Sequence, residues 1–420
     1  MKNWFKFSFL LFIVIIVSCA NNEPTESTAQ NTKQSSQQTA QDEVKSRQVE
    51  PKKIVLGASK FTEYLPQLNG KKVGLVVNQT SAIDERHLVD ILLEKKVNIT
   101  KIFAPEHGFR GKADAGELVK SGKDVKTGLP IISLYGANKK PSKSMIQDLD
   151  ILIFDIQDVG ARFYTYISTM HYVMEAAAEN DKKVIVLDRP NPNGHYIDGP
   201  IRKDNLKSFV GMHPIPIVHG LTVGELAKMI NGERWLKGGL TCDLTVIKCD
   251  NYDHNTFYEL PIKPSPNLPN IRSIYLYPSL CLFEGTVVSV GRGTATPFQI
   301  YGHPAFKGGN YEFTPKPTEG AKNPPYNGKL CNGFSLLNES ITTLQQAKRL
   351  ELEYLIDYYN AFPQKDNFFN NFLPKLVGNY DLRKQIESGK TAAEIRATWE
   401  KDLESYRQIR KNYLLYNDFK

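Results

Sequence analysis

The sequence predicts an α/β protein: a mostly parallel sheet with helices on both faces, followed by a smaller α+β domain. Short β-branched apolar runs alternate with amphipathic stretches through residues 54–275, and this alternation of strand and helix is typical of parallel sheets. Residues 276–420 are instead rich in Pro, Gly, Asn and Tyr. Because residues 54–420 are long enough for two domains, we predict a boundary between residues 275 and 276.

The elements of both domains can be assigned in chain order. Apolar runs predict strands over residues 72–77, 99–103, 129–134, 151–154, 184–187, 215–218 and 244–248. Amphipathic periodicity predicts helices over residues 87–96, 142–148, 164–180 and 222–236. Thr222 and Glu225 have the spacing of a capping box, which supports the start of the last helix. In the second domain we predict a strand near residues 286–290 and helices within residues 343–360 and 392–413.

The N-terminus reads as a secretory signal. Lys2 and Lys6 precede an apolar run over residues 9–17 that is too short to span a bilayer. The tetrad Ile-Val-Ser-Cys at residues 16–19 resembles the bacterial lipobox, so we expect residues 1–18 to be a signal peptide and Cys19 to carry lipid. Residues 20–53 are polar and lack aromatic side chains, which predicts that residues 19–53 form a disordered tether. The expected location is outside the cytoplasm, lipid-anchored to a bacterial membrane at its periplasmic or cell-surface face.

The net charge and the distribution of basic residues do not indicate a nucleic-acid-binding protein. Removing residues 1–18 takes away two lysines and no acid, so the formal charge falls from +8 to 8 − 2 = +6. This mild excess comes without an arginine-rich helix or an aromatic RNA-binding signature. We therefore expect no nucleic-acid partner, and membrane contact through the N-terminal lipid alone.

Four cysteines follow Cys19, at positions 242, 249, 281 and 331. Cys242 and Cys249 flank a predicted strand, and seven extended residues would separate them far beyond the reach of a disulfide. The sequence contains no C-x-x-C pair, so a structural zinc site is not expected.

Polar clusters follow several predicted strands of the first domain. Open parallel sheets bind ligands beyond the carboxyl ends of their strands, so these clusters are expected to line one crevice. Amide, carboxylate and histidine side chains there would suit a hydroxyl-rich ligand such as a sugar. The clusters are Asn78-Gln79-Thr80, Glu106-His107-Gly108, residues 155–158 with Asp155 and Asp158, residues 188–194 with Arg189, Asn191 and Asn193, and His219-Gly220.

The sequence lacks the motifs of several enzyme classes, which limits the reactions that the residues of this crevice could catalyse. The sequence has no G-x-S-x-G, S-x-x-K, H-E-x-x-H, P-loop or G-x-G-x-x-G motif. Asp155, Asp158, His107 and His219 are residue types that can bind a divalent metal. A metal site formed by them is therefore an alternative, although their spacing matches no ligand motif. Glycoside hydrolysis needs a carboxyl group that protonates the leaving oxygen, normally with a second carboxylate. Candidates are Glu106, which follows Pro105, together with Asp155, Asp158 and Glu284.

At these residues the chain resembles the exo-acting β-N-acetylmuramidases of peptidoglycan recycling, long catalogued as a domain of unknown function. The resemblance runs from about residue 74 through the C-terminal domain. It implies a Rossmann-like first domain, a smaller C-terminal domain, and release of N-acetylmuramic acid from the non-reducing ends of peptidoglycan-derived glycans, without a cofactor or metal. The stretches that carry it are FAPEHGFRG (103–111), TGLPI (127–131), FDIQDVGARFYTY (154–166), DRPNP (188–192), FEGT (283–286) and GRGT (291–294).

The resemblance implies roles for individual residues. Glu106 is the leading candidate for the catalytic acid, with His107, Asp155, Asp158 and Tyr164 as further catalytic candidates. An arginine is the natural receptor for the lactyl carboxylate of muramic acid, because its guanidinium binds carboxylates through two hydrogen bonds. The chain departs from the expected pattern at His195 and Ala295. Substrate-binding candidates are Asn78, Gln79, Arg162, Arg189, Asn191, Asn193, His219, Glu284 and Arg292.

The sequence is also compatible with structural roles for several of these residues and with other functions of the protein. The three arginines could form structural ion pairs, and Tyr164, Tyr166 and His171 could belong to the core. A lipoprotein that binds wall fragments without cutting them would need the crevice and the arginines but no hydrolytic carboxylate. An amidase or esterase would need a nucleophile or metal site that the sequence does not display.

Overall fold

The computed structural model of this chain describes residues 52–109, 121–136 and 138–419. The predicted signal peptide, Cys19 and nearly all of the predicted tether lie outside these residues. Within the described part of the chain, no helix is both long and apolar enough to cross a bilayer.

A seven-stranded sheet forms the centre of the first domain. Its strand order is β5-β6-β4-β1-β7-β8-β9, and every neighbouring pair is parallel except β5 with β6. The short pair β2 and β3 forms a separate antiparallel ladder. The strands are β1 (Val73–Val77), β2 (Ala82–Ile83), β3 (Arg86–His87), β4 (Ile99–Ala104), β5 (Gly122–Lys123), β6 (Pro130–Ser133), β7 (Ile151–Asp155), β8 (Lys183–Leu187) and β9 (Asp243–Ile247).

Helices cover both faces of this sheet. Leu75 and Val77 belong to a buried cluster with side chains of α1 and α2, whereas Val76 belongs to a cluster with side chains of α4 and α5. Successive strand residues point to opposite faces, so each strand contributes to both clusters. The predicted mostly parallel sheet with helices on both faces is confirmed. The helices are α1 (Phe61–Leu68), α2 (Leu88–Glu94), α3 (Lys143–Ile146), α4 (Tyr166–Glu179) and α5 (Val223–Gly232).

The remaining residues form a smaller region that mixes strands and helices, as predicted. A three-stranded antiparallel sheet has the order β10-β12-β11. Its strands are β10 (Ile300–His303), β11 (Tyr311–Phe313) and β12 (Cys331–Ser335). The helices are α6 (Ile271–Leu280), α7 (Ile341–Ala347), α8 (Glu353–Ala361), α9 (Leu373–Val377), α10 (Asp381–Glu387), α11 (Ala392–Ala397) and α12 (Glu400–Lys411).

Two predicted strands are wrong. Residues 215–218 form only isolated bridges, from Val218 to Ala161 and Asp198, because Pro216 removes a backbone donor from the run. Residues 286–290 also form only isolated bridges, since Val287 donates to Phe368 while Ser289 pairs with Gly302. Their backbone groups are satisfied by separate segments instead of one neighbouring strand.

Two long predicted helices are each divided. The helix predicted within residues 343–360 is broken after α7, where Lys348 adopts a left-handed conformation with φ of 48°. The helix predicted over residues 392–413 is two helices, α11 and α12, and Trp399 is buried at their junction. The capping box of Thr222 and Glu225 at the start of α5 is confirmed. Cys242 and Cys249 flank β9, and both thiols are free.

Candidate active site

A cavity of about 940 Å³ is lined by side chains from both parts of the chain. Loops at the carboxyl ends of the parallel strands supply Glu106, His107 and Tyr135, and the start of α4 with the preceding loop supplies further residues. The C-terminal residues supply Glu284, Arg292 and Phe298. Of the residues predicted to act on substrate, five line this cavity: Glu106, His107, Tyr164, Glu284 and Arg292.

Glu106 lies in a tight turn directly after β4. His107 and Gly108 have φ angles of 66° and 77°, and the Gly108 N–H donates to the Pro105 carbonyl over 2.9 Å. A left-handed conformation is costly for a residue with a β-carbon, and such strain often occurs at functional sites. The buried His107 therefore marks a turn whose conformation the surrounding structure imposes.

The Glu106 carboxylate lies at the N-terminus of α4. Thr165, the residue before this helix, donates its hydroxyl to Glu106 Oε2 over 2.5 Å. The helix dipole favours negative charge at this end. The Thr165 hydroxyl therefore holds the Glu106 carboxylate at the start of α4.

Two tyrosines lie beside Glu106. The Tyr164 and Tyr166 hydroxyls donate to the Pro264 carbonyl over 2.9 and 3.2 Å, and their rings meet edge to face at 4.9 Å. Burial raises the pKa of the Tyr166 phenol, and the negative charge of Glu106 raises it further. Tyr166 is therefore within electrostatic reach of Glu106, and both phenols remain protonated hydrogen-bond donors.

An ion pair between Glu284 and Arg292 forms a second polar group in the cavity wall. Arg292 Nε donates to Glu284 Oε1 over 2.6 Å, and the guanidinium lies 5.0 Å from the centroid of the Phe298 ring. Burial opposes the charged form of Arg292, but the Glu284 carboxylate outweighs it and raises the pKa of this arginine. Arg292 therefore stays positively charged inside the cavity wall.

Asp155 and Arg189 form a buried ion pair away from the cavity lining. Arg189 Nε and Nη2 donate to the two oxygens of Asp155 over 2.6 and 2.9 Å, and both side chains are almost fully buried. Asp155 ends β7 and Arg189 follows β8, so the pair joins two neighbouring strand ends. The Asp155 carboxylate and the Arg189 guanidinium are therefore bound to each other in this structure.

Arg162 is fully buried and donates hydrogen bonds to four backbone carbonyls. Its Nη1 donates to Pro200 and Ile215 over 2.8 and 2.6 Å, and its Nη2 to Leu376 and Val377 over 2.9 and 2.7 Å. Burial, with a smaller effect of the nearby positive Arg202, lowers the pKa of Arg162 to about 9. The contacts indicate a structural role that ties α9 to the first domain.

The predicted amide residues brace loops around the site. Asn78 Oδ1 accepts from the N–H and the hydroxyl of Thr80, and Gln79 Nε2 donates to the Lys263 and Pro264 carbonyls. The amide groups of Asn191 and Asn193 donate to carbonyls of other loops over 2.8 Å. These hydrogen bonds fix the segments next to the cavity.

Asp158 and His219 form a further buried pair. The distance between Asp158 Oδ2 and His219 Nε2 is 3.7 Å, and Asp158 Oδ2 also accepts from the Gly160 N–H. Among the residues that the structure describes, no three His, Cys, Asp or Glu side chains are grouped to hold a metal ion. Within those residues the lining of the cavity includes neither Asp158 nor His219.

Sequence reasoning missed several residues of the cavity. Thr165 was overlooked because the helix predicted over residues 164–180 includes it, whereas the observed helix begins at Tyr166 and leaves Thr165 at its N-terminus. Phe298 has a φ of 55°, a rare conformation that only the structure reveals. Lys322 also lines the cavity, from a loop whose sequence gives no signal of a site.

Comparisons with known proteins agree with this architecture. Two family models match: the N-terminal domain of exo-β-N-acetylmuramidase NamZ over residues 73–272 and its C-terminal domain over residues 275–416. The peptidoglycan β-N-acetylmuramidase NamZ of Bacillus subtilis strain 168 is 41% identical over 373 residues, which cover 84% of this chain and 89% of that protein.

Two crystal structures of DUF1343 family proteins from Bacteroides fragilis NCTC 9343 share the fold. One is 52% identical with a TM-score of 0.82 and covers 87% of this chain and all of that one. The other is 30% identical with a TM-score of 0.72 and covers 87% of this chain and 99% of that one. The chain therefore belongs to the exo-β-N-acetylmuramidase NamZ family.

Proposed function

We propose that this protein is an exo-β-N-acetylmuramidase that removes terminal N-acetylmuramic acid from the non-reducing ends of peptidoglycan-derived glycans. Membership of the NamZ family supports this activity. The observation that carries the assignment of the acid is the position of Glu106, whose carboxylate lines the cavity at the start of α4 and accepts a hydrogen bond from Thr165. Glu284, the other carboxylate among the described lining residues, forms an ion pair with Arg292 in the cavity wall. Proton delivery is therefore assigned to Glu106.

The proposed reaction follows from the surroundings of Glu106. The protonated carboxyl donates its proton to the glycosidic oxygen as the bond between that oxygen and C1 of the muramic residue breaks. Water then adds to C1 and leaves its hydroxyl group there, while its other proton is released to solvent, from which Glu106 is protonated again. The Thr165 hydroxyl and the N-terminus of α4 stabilise the carboxylate left on Glu106.

The test uses two chromogenic substrates, a β-N-acetylmuraminide and the matching β-N-acetylglucosaminide. Wild-type protein is expected to cleave the first and not the second. Glu106→Gln keeps the size of the side chain but cannot deliver an acidic proton, so turnover should fall by about 10²–10⁴-fold while sugar binding persists. Glu387→Gln, at an exposed pair with Arg383 on α10, is the matched control and should keep full activity.

Three results would contradict the proposal. Equal rates on both substrates would indicate a general hexosaminidase. Tight binding of both sugars without cleavage would indicate the non-catalytic binding lipoprotein. Near-normal turnover by Glu106→Gln on a substrate with a poor leaving group would mean that a different residue is the acid.

We also propose that Cys19 carries the lipid that anchors this protein to a bacterial membrane outside the cytoplasm. The lipobox-like tetrad at residues 16–19, the preceding apolar run and the polar residues 20–53 support this location. Cys19→Ala should move the protein from the membrane to the soluble fraction, because lipid at the N-terminus would supply most of the anchoring. Ser27→Ala, within the polar segment, is the control. Retention of Cys19→Ala in membranes after a high-salt wash would refute the anchor.

A further inference from the structure

The three arginines considered as receptors for the substrate have different surroundings. Arg162 is fully buried with both Nη groups bound to carbonyls, and Arg189 donates through two nitrogens to Asp155. Arg292 is the one of these three that lines the cavity with Glu106. Its side chain keeps 19% of its surface exposed. Of these three arginines, Arg292 is therefore the one that can meet a ligand.

The backbone holds Arg292 in a fixed place. Gly291 and Gly293 on either side of it have φ angles of 77° and 82°, which L-residues with side chains rarely adopt. A β-carbon on Gly291 would lie 2.5 Å from Ile300, and one on Gly293 would lie 2.6 Å from Pro324. The backbone of this Gly-Arg-Gly turn is therefore closely packed on both sides of Arg292.

The guanidinium is oriented as well as positioned. Glu284 accepts from Nε at 2.6 Å, and the guanidinium carbon lies over the Phe298 ring, 5.0 Å from its centroid. Within the described part of the chain, the hydrogen bonds of Arg292 involve Nε alone, so the edge with the two Nη groups keeps its donors for a ligand. An arginine edge of this kind matches the two oxygens of a carboxylate.

We propose that Arg292 binds the lactyl carboxylate of the muramic residue through its two Nη groups and so sets the preference for muramic acid over N-acetylglucosamine. This inference rests on the proposed function, because the lactyl ether is the group by which the two sugars differ. Glu284 acts as a positioning residue, since its carboxylate accepts from Nε and offsets part of the charge of the guanidinium. A sugar without the lactyl group leaves the Nη donors of Arg292 without an acceptor. The site therefore selects sugars that carry the lactyl group.

Lys322 is the competing cation in the same cavity. It is exposed, and it belongs to the loop that also contains Asn323 and Pro324. A lysine ammonium is a flexible point charge, so it recognises a carboxylate with less geometric selectivity than a fixed guanidinium. Substitution of each cation in turn therefore separates the two receptors.

The experiment measures kcat/KM for the β-N-acetylmuraminide, its lactyl carboxamide and the β-N-acetylglucosaminide. Wild-type protein should prefer the free acid over both neutral sugars. Arg292→Ala should reduce that preference by about 10- to 100-fold, mainly through KM, because it removes hydrogen bonds to a charged group. Arg292→Lys should restore part of the preference, and Lys322→Ala should change it by less than about twofold.

Folding of the variants is checked by thermal unfolding, since Arg292→Ala leaves Glu284 without its partner. If that variant is unfolded, the double variant Arg292→Met with Glu284→Met removes both charges and should show the same loss of preference. An unchanged preference in a folded Arg292 variant, or its loss in Lys322→Ala, would overturn the proposal while leaving muraminidase activity intact. Failure of the wild-type protein to cleave the muraminide would instead refute the proposed function.

Discussion

Replacing Arg162 by methionine should destabilise the fold without altering the choice of sugar. The change removes four hydrogen bonds of 2.6 to 2.9 Å to carbonyls on three separate segments. Each hydrogen bond from a charged donor contributes about 1.5–3 kcal/mol, and the desolvation cost of the buried charge offsets part of that sum. Methionine would leave four carbonyls without this donor, so we expect a loss of about 3–5 kcal/mol in unfolding free energy.

The assay is denaturant unfolding at neutral pH, with muraminide and glucosaminide hydrolysis measured on the folded protein. Arg383→Met is the matched control, because that arginine forms an exposed pair with Glu387 and should contribute less than about 1 kcal/mol. The reasoning would be refuted if Arg162→Met unfolds like the wild type and loses its preference for the muraminide. Arg162 would then be a substrate receptor instead of a structural arginine.

Three further predictions concern single side chains. Burial lowers the pKa of His195 to about 4, so the folded state loses stability as pH falls from 6.5 towards 4; His195→Gln should lack about 2 kcal/mol of the loss measured between pH 7.5 and 5. Asp155→Asn strands the charge of Arg189 and should reduce the unfolding free energy by about 3–5 kcal/mol; a smaller loss than 1 kcal/mol would contradict this. Thr165→Val removes the donor to Glu106 and should lower kcat by roughly tenfold with unchanged stability, and an unaltered kcat would exclude this positioning role.

The clusters of polar residues show how far local sequence patterns reach into the site. Asn78 and Glu106 follow β1 and β4, and Asp155 ends β7. These three strands are neighbours in the sheet, so the approach of the three side chains to one edge follows from strand order. The pattern could not tell which of these side chains reach the cavity. The Asp155 carboxylate is bound by Arg189, which follows the neighbouring strand β8. Such an ion pair depends on distances across the sheet, which the sequence does not give.

The C-terminal region was harder to predict than the first domain. Residues 286–290 have the composition of a strand, yet their hydrogen bonds go to Phe368 and Gly302, partners distant in sequence. Local propensity cannot identify such partners, and tertiary contacts override it. The wall that contains Glu284, Arg292 and Phe298 was therefore only partly visible, as two motifs without a known position relative to Glu106.

The sequence by itself determined the parallel sheet and the α5 capping box, because periodicity and capping are properties of neighbouring residues. Only the tertiary structure decided among the three arginines. Arg162 and Arg189 are bound to carbonyls and to a carboxylate that lie far away in sequence, whereas Arg292 lines the cavity and hydrogen-bonds the described residues through Nε alone. The availability of a charged group depends on what surrounds it in space, and the order of residues along the chain does not specify those surroundings.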